Sequence, residues 1–162
     1  MARRTIKVKN YANIMEEKDA NAAITPGMLI QLMSTDKVRA HADAGLNVLP
    51  MFACEDELQG KSIDDAYAAD DKVQVWVPNR GDIVLAILAD GENVTIGDDL
   101  ESDGAGMLKK HTIDGSASGE PDPVYGNQIV GQAVEAVDIS DSSGGESSGD
   151  LGYDKRIKVR IY

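Results

Sequence analysis

The residues best placed to do chemistry are the carboxylates of "DLESDG". Asp99, Glu101 and Asp103, followed by Gly104, have the spacing that opens a helix-flanked calcium loop. That loop needs a bidentate glutamate at its twelfth position, and the residue here is Lys110. The match fails where ligand charge matters most, so the segment reads as a solvated acidic turn. His41 and His111 stand apart from any zinc-like pattern, and His41, in an alternating stretch, reads as a packing or surface residue. Cys54 is the only cysteine, which excludes an internal disulfide and a Cys-rich metal site. Beside Phe52 and Ala53 it reads as a buried small apolar residue and not as a catalytic thiol. Arg80-Gly81-Asp82, at the start of a strand, reads as a turn and not as an adhesion site. With no phosphate loop and no nucleophile elbow, these residues predict neither an enzyme nor a cofactor or metal.

The elements that carry these residues are β-like. The chain has 162 residues, enough for one domain with a substantial core, yet aromatics are only 4%, so the core must be built from Val, Ile, Leu and Ala. Sixteen glycines favour frequent turns and short elements over a helical bundle. No apolar run reaches the roughly 18 residues of a membrane span, and "MARRTIKVKN" alternates instead of entering an apolar signal region. The expectation is a protein that stays where it is made or leaves by lysis, without a membrane partner.

Charge is segregated along the chain. All 28 acids and eight of the 16 bases lie between residues 10 and 154, so that body carries −20 while the two ends carry +8. Both ends alternate as half-buried strands do: Ile157, Val159 and Ile161 oppose Arg156, Lys158, Arg160 and Tyr162, and Ile6 and Val8 oppose Thr5, Lys7 and Lys9. The C-terminal strand is expected to close the protein's own acidic sheet. Residues 1–23 are expected to form an arm, because "YANIMEEKDANAA" reads as a polar tether. That arm would add to another subunit's sheet edge, with Arg3, Arg4, Thr5, Ile6, Lys7, Val8 and Lys9 making the contact. A body at −20 repels phosphates and no aromatic platform accompanies the cations, so nucleic acid is not an expected partner.

Along residues 24–162, strands are expected at Met28–Leu32, "KVRAHA", "NVLPMFAC", "KVQVWVP", Ile83–Ala89, Val94–Ile96, around Ile129 and Val137, and at the C-terminus, with at most one helical turn near Ser62. Asp90-Gly91 and Gly97-Asp98 mark tight turns, and Gly131 a bulge or a close approach. In "KVQVWVP" the valines take one side and Gln74 and Trp76 the other, making Trp76 a candidate subunit contact, with cover by a nearby loop the alternative. The Ser/Gly-rich stretch at residues 141–150 cannot bury enough surface to order itself and reads as a flexible loop. The fold class is mainly β.

Two resemblances bear on function. "GENVTIGDDL" looks like the turn of biotinyl and lipoyl carrier domains, but the lysines that would be modified, Lys109 and Lys110, come late, in "GMLKKH". Taken in order, "TPGMLIQL", "RGDIVLAILADGENVTIGDDLESDGAGMLKK", "VGQAVEAVD" and "KRIKVRIY" resemble the head decoration, or capsid cement, proteins of tailed bacteriophages. That resemblance implies a small β-barrel-like or β-tulip domain, commonly a homotrimer. It implies binding to the major capsid protein on the outer surface of the virion, where the domain bridges coat subunits and stabilises the expanded head. The N-terminal arm would then lie on the coat lattice. A host-surface or glycan-binding β domain is the further alternative, for which Trp76 and a few tyrosines would have to supply the platform.

Overall fold

The computed structural model describes residues 5–11, 14–112, 127–141 and 155–162. In chain order its strands are β1 (Lys7–Lys9), β2 (Ile14–Ala20), β3 (Ile30–Leu32), β4 (Lys37–Ala40), β5 (Phe52–Cys54), β6 (Lys72–Val77), β7 (Ile83–Ile87), β8 (Asn93–Val94), β9 (Asp99–Ser102), β10 (Leu108–Lys110), β11 (Ile129–Ala133), β12 (Val137–Asp138) and β13 (Arg156–Ile161). The expected mainly β class is found. The helical turn falls at Glu57–Gln59, capped by the Asp56 carboxylate, which accepts from the Gln59 N–H; the Ser62 segment forms a turn closed by Asp65.

Six strands form the first sheet in the order β1-β7-β13-β11-β9-β10, five form the second in the order β3-β4-β2-β6-β5, and β8 and β12 make a separate ribbon. All pairs are antiparallel except β2 with β4. The second sheet curls until its edges meet at one bridge between Leu29 and Phe52, where the Ile30 N–H donates to the Met51 carbonyl and the Ala53 N–H to that of Met28. A single bridge is not a continuous ladder, so the barrel is suggested but not closed.

Burial follows the two-residue period, and both faces of the second sheet are covered. Phe52, Cys54 and Trp76 turn toward the first sheet and pack with Val84, Ala86, Ile157 and Val159. Ala53, Val73 and Val75 turn the other way, into a second cluster with Ile24, Ile30, Val38 and Tyr67 inside the curl. This corrects the reading of Trp76. The face opposite the valines is the interior between the sheets, and Trp76 is fully buried within its own subunit, out of reach of another.

The N-terminal segment is the larger correction. Described residues 5–9 are not a detached arm: Ile6 is fully buried in the main core, its N–H donates to the Glu55 carboxylate at 3.2 Å, and its carbonyl accepts from the Leu85 N–H at 2.9 Å. Burying one isoleucine stabilises by about 2 kcal/mol, enough to hold residues 5–9 on their own domain. The supposed tether contains β2, an interior strand of the second sheet. Its polar composition hid it, because Glu17, Lys18 and Asp19 make cross-strand or neighbouring partners in Gln74, Asp36 and Lys72. Arg3 and Arg4 lie outside the described residues, as does the Ser/Gly-rich stretch except Asp141. "NVLPM" is not a strand; the chain enters β5 only at Phe52.

Candidate functional site

A dense polar cluster is built around Glu101. On β9, flanked by β10 and β11, it is fully buried. One carboxylate oxygen lies 2.6 Å from His111 Nδ1; the other accepts from Asn127 Nδ2 at 3.1 Å and faces Lys109 Nζ at 3.3 Å. His111 and Asn127, far apart in sequence, thus meet at one carboxylate. Carboxylate, imidazole and ammonium are the ingredients of acid–base chemistry, but here they satisfy one another inside the fold. The neighbouring acids turn elsewhere: Asp99 accepts the Tyr162 hydroxyl at 2.7 Å, and Asp103 accepts the Ala105 and Met107 N–H groups at 2.7 and 2.9 Å. They do not converge on a common point.

Lys109 and Lys110 lie on strand β10, paired with Glu101 and Asp98, and not at the hairpin tip where a carrier displays its lysine. The tip itself docks on the second sheet, with the Leu29 N–H donating to the Gly106 carbonyl and the Gly106 N–H to that of His41. The Lys110 ammonium, together with the Thr95 N–H and hydroxyl, holds the Asp98 carboxyl below its ordinary 3.8. A depressed carboxyl contributes stability that is complete above 3.8 and lost as pH falls through its lower folded value. Asp98→Asn should therefore cost about 1 kcal/mol at neutral pH and shrink that cost in acid, read from urea unfolding across pH 2 to 7.

His41 is buried, with Nδ1 2.6 Å from the Ser102 hydroxyl; burial holds its imidazole below the ordinary 6.5, Arg39 adds to this, and Asp43 and Asp103 oppose it. Burial also pushes the Cys54 thiol up to about 12, with the Glu55 charge adding to the rise. A thiol-directed reagent at pH 8 should leave Cys54 unmodified in the folded protein and label it fully in denaturant; labelling at the folded stage would refute this burial. In "RGD", Asp82 is fully buried and accepts the Tyr11 and Asn79 N–H groups, which makes it the staple of a turn.

Three basic side chains of the C-terminal end serve the domain itself. Lys155 pairs with Asp90, Arg156 with Asp64 and Lys158 with Glu135 at 2.6, 3.0 and 2.8 Å. At the other end, Thr5 and Lys7 line a hollow of about 300 Å³ together with Cys54, Glu55 and Gln74. Lys9 lies over the Tyr11 ring at 5.3 Å, and Val8 is 40% exposed. Since β1 is an edge strand, Lys7, Val8 and Lys9 are the part of the expected contact that borders the sheet's outside.

Sequence reasoning missed a cleft of about 530 Å³ at the mouth of the curled second sheet. Met51 belongs to the second core cluster and Val77 packs against it; Val48, which packs on the main core, and the more exposed Leu32, Leu46 and Leu49 complete the apolar lining. Leu46 and Leu49 are 58% and 62% exposed. The available signal was two leucines beside Gly45, Asn47 and Pro50, a turn-rich context in which core leucines are unusual.

No protein family matches the chain's sequence, and no curated protein matches it. Among solved structures, the chain is similar to the head fiber gp8.5 N base of bacteriophage phi29. The TM-score is 0.54 at 13% identity, with 93% of this chain and 95% of that chain covered, and at this identity the likeness shows a shared fold.

Proposed function

We propose that the chain is a non-enzymatic structural protein of a bacteriophage head, held on the outer capsid surface by the major capsid protein, where as a homotrimer it bridges neighbouring coat subunits. The observation that carries this reading is the shared fold, which spans nearly the whole of this chain and of the phi29 head fiber base. The geometry agrees with a docking role: the polar clusters around Glu101, His41 and Asp82 are satisfied internally and hold the scaffold together. An acidic body keeps decorated particles apart in solution, and many modest contacts repeated over a lattice resist internal pressure without one tight site.

The N-terminal contribution is a fixed edge strand in place of a free arm. Its outer edge accepts a strand of the coat, and Lys7 and Lys9 steer it toward acidic coat residues. Deleting residues 2–9 would remove Ile6 from the core and confuse folding with binding, so point changes are the better test. Purified protein should bind saturably to expanded heads that lack it, as a species three times the 17.3 kDa chain mass. Lys7→Glu with Lys9→Glu should weaken that binding about 10-fold, chiefly through association rate and most at low salt. Absence of saturable binding by the unaltered protein overturns the reading.

A further inference from the structure

The mouth of the second sheet carries apolar side chains that the core does not consume. Leu32, Leu46 and Leu49 are each more than half exposed, and Ile14, the cross-strand partner of Val77, is 48% exposed. Scattered single leucines are ordinary on a protein surface, but a contiguous apolar patch joined to a cleft marks a surface built to be covered. Its polar lining is equally specific. Exposed Glu16 and Asp43 border it, and no lysine or arginine lines it among the described residues.

That charge pattern selects the occupant. A second copy of this chain would carry the same acidic border on a body of net charge −12, so self-association through the cleft sets like charges together. The described cations meanwhile pair largely within the domain: Lys18, Lys37, Lys72, Lys109, Lys110, Lys155, Arg156 and Lys158 all face their own acids. The surface left over calls for a basic partner.

We propose that this cleft receives a segment of the coat protein carrying an apolar side chain beside a lysine or arginine. The apolar group fills the space between Leu32, Leu46, Leu49 and Val77, and the cation meets Glu16 and Asp43. The inference rests on the head-protein reading above and names a contact separate from the β1 edge.

The test measures binding to expanded heads lacking the protein, with three proteins compared: the unaltered chain, Leu46→Asp with Leu49→Asp, and Glu16→Gln with Asp43→Asn. All four positions are exposed, so unchanged thermal melting is expected and is checked first. Loss of two leucines that the coat segment would cover should weaken binding at least about 100-fold. The charge-neutral pair should bind several-fold more weakly with a flatter salt dependence. Head binding by the leucine variant equal to that of the unaltered chain overturns the cleft while leaving the head-protein reading intact. Failure of the unaltered chain to bind heads overturns both. A leucine variant that binds heads normally but sediments as a smaller species makes a second copy the occupant and also overturns the proposal.

Discussion

Arg156→Met should lower the free energy of unfolding by about 3 kcal/mol. The Arg156 side chain is fully buried, although it begins the strand that reads from sequence as a cationic outer row. It donates to the Pro26 carbonyl at 2.9 Å, to the Ile63 carbonyl at 2.6 Å and to Asp64 at 3.0 Å, joining β13 to two loops remote in sequence. Methionine restores the volume of the stem but none of the donors. Two buried carbonyls then lack partners, at about 1–3 kcal/mol each before relaxation, while Asp64, nearly half exposed, rehydrates at little cost. Arg156→Lys should recover only part of the loss, because one ammonium lacks the planar fork that reaches all three acceptors. Urea unfolding followed by the emission of Trp76, the only tryptophan, reads the change directly. A loss under about 1 kcal/mol would mean that water or other donors replace the arginine.

Gly131→Ala should be of comparable size, about 3 kcal/mol, for a steric reason. A Cβ at this position would lie 2.4 Å from the Arg160 carbonyl oxygen and 2.7 Å from Val159 Cγ1. The obstacle is the backbone of β13, the strand beside β11 within the first sheet, and so it cannot swing away like a flexible side chain. The register with β9 also slips between Ile129 and Gly131, so the same residue serves a bulge and a close approach. Larger residues should be worse, with Gly131→Val failing to give soluble protein at 37 °C. An alanine variant as stable as the parent, in the same unfolding assay, would show that β11 and β13 separate more easily than this contact implies.

Much of the β architecture was legible because its signals are local. The run Ile83–Ala89 became β7, "KVQVWVP" became β6, the Asp90-Gly91 and Gly97 turns fell as their residue types require, and the terminal alternation became β13. The strands that escaped notice, β2, β9 and β10, are the polar ones. Glu17, Lys18 and Asp19 resemble a tether until their partners across the sheet are known, and Glu101 resembles an acidic turn until His111, Lys109 and Asn127 close round it. The leucine-lined cleft was illegible for the same reason: Leu32, Leu46 and Val77 lie far apart in sequence and meet only because the second sheet curls.

By itself the sequence determined that this chain would be mainly β, with an aliphatic core, an acidic body and basic ends, because alternation, turn chemistry and charge are properties of neighbouring residues. Only the tertiary structure decided which side of each alternation faces water. Burial depends on whether a second sheet covers that side, and this turned Trp76 inward, anchored Ile6 in the core and left Leu46 and Leu49 at the surface.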